Sequence, residues 1–100
     1  MRKETLEGEL LQDSHTILQP ERYRIVEQLA EKPMHISELS RALGEERRLV
    51  AYHLLALEER GFVKSRYEIS ERPRSRGKAL RVYTATDKAA DVKAKLKKGL

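Results

Sequence analysis

The sequence predicts a mainly α chain carrying one small β-hairpin, with elements in the order α-α-α-α-β-β-α, and three observations carry that expectation. Apolar residues recur at three- and four-residue spacing in five separate stretches, as they do in helices with one buried face. Two stretches, near residues 62–69 and 80–84, alternate at a period of two instead, as half-buried strands do. Prolines and glycines stand at the joints, at Pro20, Pro33, Gly44 and Gly61, where the chain must start, leave or turn.

The first helix is expected over residues 5–18, where Leu6, Leu10 and Leu11 share a face that Ile17 and Leu18 extend toward Pro20. Pro20 suits the first turn of the next helix, residues 20–31, because the N–H it lacks would be unpaired there anyway. Ile25, Val26 and Leu29 form the inward stripe of that helix, Pro33 forces its exit, and it is assigned to the central core. Residues 36–61 read ISELSRALGEERRLVAYHLLALEERG and hold two short helices. Leu39 and Leu43 line one side of the first, while Val50, Leu54 and Leu57 line one side of the second, residues 46–60. Gly44 falls just past the first helix, where a positive φ is wanted and glycine adopts it without a Cβ clash.

A hairpin is expected over residues 62–84. In its first strand Val63, Ser65, Tyr67 and Ile69 share one face and Phe62, Lys64, Arg66 and Glu68 the other; Leu80 to Thr84 supply the second strand. Between the strands, Arg72, Arg74, Arg76 and Lys78 put a cation on every second position of a loop whose Pro, Gly and Ser supply turn geometry. Four like charges on a short loop repel one another, so a polyanion that neutralises them, or plain solvation, must account for them. The last helix is expected over residues 86–100, with Thr86 as cap, Asp87 at the positive end of the helix dipole and Lys93, Lys95, Lys97 and Lys98 toward the negative end. Ala89, Val92 and Leu96 line one side of it.

Three stretches in this order resemble the helix-turn-helix regulators of the ArsR type: Leu18-Gln19-Pro20-Glu21-Arg22-Tyr23-Arg24-Ile25-Val26, then Ser37-Glu38-Leu39-Ser40, then Val50-Ala51-Tyr52-His53-Leu54 with Leu57 and Gly61-Phe62-Val63. The resemblance covers roughly residues 18 to 86. It implies a winged helix-turn-helix fold, a DNA-binding transcription regulator, and a homodimer whose first and last helices pair across a two-fold axis. Leu6, Leu10, Leu11, Val92 and Leu96 are the expected dimerisation residues; the competing reading is that the terminal helices merely close the monomer's own core. Many relatives of this type hold a metal through cysteines at the position of His35-Ile36-Ser37. Here only His35 offers a ligand, so no metal and no cofactor is expected.

Whole-chain properties agree with a binding protein. One hundred residues are expected to form one winged helix DNA-binding domain, and a chain of this size buries only about two-thirds of its unfolded surface, so dimerisation would add welcome burial. There is no cysteine, no apolar run near the ~18 residues of a membrane span, and no nucleophile–base set or phosphate-cradling loop, which leaves a cytoplasmic chain with no enzymatic role as the expectation. The net charge of +5 is uneven. Residues 1–63 hold 9 basic and 12 acidic side chains, while residues 64–100 hold 12 basic and 4 acidic. An anionic partner approached from one side, double-stranded DNA before a membrane surface, fits that asymmetry.

In a helix-turn-helix the second helix enters the major groove, so the side chains turned away from Val50, Leu54 and Leu57 are those that meet DNA. Arg47, Arg48, Ala51 and Tyr52 are the candidates, and the resemblance adds His53. Each arginine can bridge guanine O6 and N7 or hold a phosphate; Ala51 permits close approach to a thymine methyl. Tyr52 either meets the DNA backbone or lies against its own wing, and His53 either links helix and wing or contacts a phosphate. Glu45 and Glu46 are read as structural, complementing the helix dipole. Arg72, Arg74, Arg76 and Lys78 are expected to grip phosphates or a narrow minor groove. A winged-helix protein-interaction module and a low-specificity chromatin protein are the alternatives. The operator, the direction of regulation and any small-molecule effector lie beyond the sequence.

Overall fold

Burial of the apolar stripes decides the arrangement of the elements. A computed structural model describes the backbone of residues 2–74 and 76–99 and the side chains of residues 8–74 and 76–98. In chain order the elements are α1 (Arg2–Ile17), α2 (Pro20–Glu31), β1 (Met34–His35), α3 (Ile36–Leu43), α4 (Arg47–Glu59), β2 (Val63–Ile69), β3 (Ala79–Ala85) and α5 (Asp87–Gly99). The chain is mainly α with a small sheet, as the periodicities predict. α2 lies at the centre, touching α1, α3, α4 and β3 through Ile25, Val26 and Leu29. Around it pack Leu39 and Leu43 from α3, Val50, Leu54 and Leu57 from α4, and Phe62 and Val63 at the entrance to the hairpin.

The corner between α3 and α4 has the cause the sequence suggests. Gly44 takes φ +66°, and its N–H returns to the carbonyls of Ser40 and Arg41, closing the end of α3. The Ser40 hydroxyl donates to the Glu45 carbonyl and holds the turn from the other side. At its start α3 is closed by a residue the periodicity does not mark: His35 Nδ1 accepts from the Glu38 N–H at 3.3 Å, while Glu38 Oε1 accepts from the His35 N–H at 3.2 Å. This is a capping box with histidine in the place usually held by serine or threonine.

β1 is an element the sequence does not reveal. Two residues cannot display a period, and Met34 and His35 become a strand only because Tyr83 and Val82 of β3 offer a free backbone edge. β3 is therefore the middle strand of an antiparallel sheet ordered β1-β3-β2, with β2 and β3 in register from Val63↔Ala85 to Ile69↔Ala79. The expected buried face of β2 exists only at its base. Val63 is buried, but Tyr67 and Ile69 are exposed, since the hairpin outgrows the helices that would cover it. This projection contributes to the 54 × 25 × 21 Å extents and to a radius of gyration of 15.1 Å, above the ~13 Å usual for a compact chain of this length.

Two expectations for the terminal helices need correction. Val92, expected at a dimer interface, is 5% exposed and belongs to the chain's own core, with Ala89 beside it and Leu96 packed against that core. α5 thus spends its apolar face on closing the monomer. Thr86 does not cap α5 with its side chain; its hydroxyl donates instead to the Gly61 carbonyl at 2.6 Å, with the Phe62 carbonyl at 3.1 Å, tying the start of β2 to the end of β3. On α1, Ile17 is buried while Leu10 and Leu11 face solvent, Leu11 at 61% exposure. The side chain of Leu6 lies outside the described residues.

Replacing Gly44 by alanine is expected to lower stability by about 1–2 kcal/mol through left-handed backbone strain alone, because a Cβ there meets nothing within 4 Å. Gly8 in α1 also has open space around its Cβ position, and its replacement by alanine should raise stability by about 0.8–1 kcal/mol. Urea unfolding of the two variants checks the opposite signs.

Candidate nucleic-acid interface

A helix advances about 100° per residue, so burying Val50, His53, Leu54 and Leu57 turns a defined set of α4 residues outward. That set is Arg47, Arg48, Ala51, Tyr52 and Leu55, all exposed. Arg48 and Leu55 stand opposite the buried stripe, and Ala51 lies between them and Arg47. Arg47 sits on the flank facing the wing, and Tyr52 on the flank facing α2, where its ring lies 5.7 Å from the Arg22 guanidinium and 5.3 Å from the His53 ring. Tyr52 does not lie against the wing.

His53 corrects the expectation that it links helix to wing. It is 5% exposed, and its Nδ1 accepts from Nε of the buried Arg22 at 3.0 Å. The partner element is α2, not the wing. Arg22 also donates to the Thr16 carbonyl at 3.5 Å, so one guanidinium bridges the end of α1, α2 and α4. An imidazole that accepts at Nδ1 carries its proton on Nε2 and is neutral. Burial, reinforced by the Arg22 charge, accordingly holds the His53 pKa below its ordinary value.

The wing is tied to α3. Arg72, expected to grip DNA, is folded back so that its guanidinium lies 3.3 Å from Glu38 Oε2 and 3.4 Å from His35 Nε2. Its own N–H donates to the Ser70 hydroxyl, and the loop is closed by the Ser70 N–H on the Lys78 carbonyl and the Gly77 N–H on the Ser70 carbonyl. For Glu38, burial pushes the carboxyl up, but the hydrogen bond from the His35 backbone N–H and the neighbouring Arg72 guanidinium outweigh it and leave its pKa below the usual carboxylate value. Arg74, Arg76 and Lys78 are exposed, as expected of a cationic loop. On the hairpin itself Arg81 is held by Glu58 of α4 at 2.6 Å and by the Ser65 hydroxyl at 2.9 Å, bracing the wing against the end of α4.

Between wing and helices runs a groove of about 1000 Å³. Ile36, Ser37 and Arg41 of α3 and Arg47 of α4 form one wall; Tyr67, Arg81 and Tyr83 form the other, with Arg72, Pro73 and Arg74 at the loop end. The α4 arginine and the wing arginines therefore face a common space. Ser37 and Arg41 were missed by a reading centred on the second helix, although a helical wheel finds them: they lie four residues apart on the side of α3 opposite Leu39 and Leu43. Tyr67 shares a strand face with the buried Val63 yet is exposed, because the alternation of β2 does not show where the body of the protein ends. Among the described residues no three His, Cys, Asp or Glu side chains converge to hold a metal, and no helix is long and apolar enough to cross a membrane.

Comparison with known proteins agrees with this architecture. Residues 19–65 match the family described as bacterial regulatory protein, arsR family. A comparison with curated proteins finds no match. Among solved structures, reduced HlyU from Vibrio cholerae superposes with a TM-score of 0.73 at 19% identity, covering 93% of this chain and 90% of that one. NolR from Sinorhizobium fredii gives 0.73 at 18% identity over 98% and 91% of the two chains. A domain from Mycobacterium bovis, described as a homodimeric winged helix-turn-helix DNA-binding domain, gives 0.75 at 20% identity over 96% and 82%. At these identities the likeness establishes a winged helix-turn-helix fold.

The depressed His53 pKa has a signed consequence. The unfolded chain takes up a proton below the ordinary imidazole value of about 6.5, which folded His53 refuses, so stability is complete above that pH and is lost as pH falls through it. His53→Asn keeps an acceptor for Arg22 but cannot titrate. Urea unfolding between pH 7.5 and 5.5 should show the wild type losing more stability than the variant.

Proposed function

We propose that this ArsR-like winged helix-turn-helix chain works as a homodimeric, sequence-selective DNA-binding transcription regulator, acting as a repressor. The observation that carries the reading is the rotation of α4, which exposes Arg47 and Arg48 and brings Arg47 into one groove with Arg72 and Arg74 of the wing. In this reading Arg48, Ala51 and Tyr52 meet base edges in the major groove, an arginine there pairing with guanine O6 and N7. Arg47, Arg74, Arg76 and Lys78 hold phosphates on either side. Arg72 contributes by keeping the wing against α3, and His53 by fixing the rotation of α4 through Arg22. No catalytic step is required of any residue.

Support for a dimer comes from α1. Leu10 and Leu11 expose apolar surface that the chain's own core leaves uncovered, and the similar M. bovis domain is described as homodimeric. A two-fold dimer would place two α4 helices in successive major grooves of one DNA face, so an inverted repeat is the expected site.

Selection from a random duplex pool tests the reading directly: an inverted repeat should emerge, and a pool without enrichment would overturn sequence selectivity. Arg48→Ala should lose about 1–3 kcal/mol of discrimination at one base pair of each half-site, read by anisotropy titration on matched and mismatched duplexes. With roughly 6–10 phosphates neutralised per dimer, affinity should fall about 10³–10⁵-fold between 50 and 200 mM salt. A buried leucine contributes about 1.5–3 kcal/mol, so L10S/L11S should move the chain from dimer to monomer in sedimentation equilibrium while its far-ultraviolet dichroism stays unchanged.

A further inference from the structure

The groove between the wing and α3 is lined by more than a phosphate needs. A DNA backbone asks for cations and water, and gains nothing from apolar surface. Yet Tyr67, which is 70% exposed, and Leu80 line the wing side, and Ile36 lies across from them on α3. An exposed aromatic ring over a concave wall is unusual for a projecting hairpin whose solvent face could be polar throughout. The charges in the same groove divide into two groups. Arg72 and Arg81 are already held by Glu38 and Glu58. Arg41, Arg47 and Arg74 make no ion pair among the described residues.

We propose that this groove is a binding site for a small organic anion with a flat apolar body, such as an aryl carboxylate or aryl sulfonate, and that this ligand and DNA exclude one another. The apolar part lies against Tyr67, Leu80 and Ile36, and the anionic group meets Arg41, Arg47 and Arg74. A volume of about 1000 Å³ is ample for such a molecule, since small-ligand sites span about 300–1,000 Å³. Exclusion follows from shared charge. Arg47 and Arg74 are phosphate-holding groups in the function proposed above, and a bound anion neutralises them and fills the space between wing and α4. The exclusion rests on that reading; the site itself does not.

Anilinonaphthalene sulfonate is a suitable probe, because it combines a flat apolar body with one anionic group and becomes fluorescent when bound. Phenylnaphthylamine has the same body without the charge. The sulfonate should bind the 100-residue chain about tenfold more tightly than the neutral compound, with amide NMR shifts concentrated at Ile36, Tyr67 and Leu80. Tyr67→Ser, at an exposed position where folding is not at stake, should weaken the dye about tenfold and leave duplex affinity in its absence within about twofold. Added duplex should release the dye from the wild type. Dye shifts centred on Leu10 and Leu11, or unchanged dye affinity in the Tyr67 variant, would overturn the site. Dye and duplex bound together without mutual weakening would overturn the exclusion. A chain that binds no duplex yet shows dye shifts in the groove would refute the DNA reading and uphold the anion site.

Discussion

Everything this surface can do depends on the rotation of α4 about its own axis. Val50, Leu54 and Leu57 set that rotation by burying one stripe against α2 and α3, and the hydrogen bond from Arg22 to His53 adds a polar constraint inside the same contact. The two act differently. Apolar burial is non-directional and tolerates a small roll of the helix, whereas a 3.0 Å bond between two buried groups does not. A protonated His53 would set two donors against each other, which is why the imidazole is held neutral there. The outcome is felt on the far side, where Arg48, Ala51 and Tyr52 face outward and Arg47 faces the wing.

The wing depends on a second set of constraints, and these are electrostatic. Tyr67 and Ile69 show that the outer half of the hairpin has no core to rest on, so apolar burial cannot hold it. Arg72 on Glu38 and Arg81 on Glu58 secure it to α3 and α4 at two points. Both pairs are partly exposed and individually weak, so the outer half of the wing is held less firmly than α4. Near the opposite end of the molecule, Asp13 of α1 receives Arg60 at 2.7 Å and Lys88 at 3.2 Å, joining α1, the end of α4 and α5 through one largely buried carboxylate. The side chains that hold the framework are thus distinct from the free arginines facing the groove.

Much of this was readable from the chain alone, and the misses share a cause. The stripes of α2, α3 and α4, the Gly44 corner and the two strands of the hairpin are local patterns, and the structure keeps them. Failures occurred where a residue's partner is distant in sequence. His53 lies 31 positions from the Arg22 it bonds, and Arg72 lies 34 positions from Glu38. Neither separation leaves a periodic trace. Val92 carried the right apolar character for either a core or an interface, and only packing chose the core.

The sequence by itself determined the five helices and the two strands of the hairpin, the stripes that α2, α3 and α4 bury, and that positive charge gathers in the second half of the chain. Spacing, glycine and proline geometry and composition are properties of neighbouring residues, so they need no fold to be expressed. The tertiary structure alone decided which cations are free. An arginine reads the same in sequence whether it ends beside a carboxylate, like Arg72, or over an open groove, like Arg41 and Arg47; that difference is made by the folding of distant segments against one another.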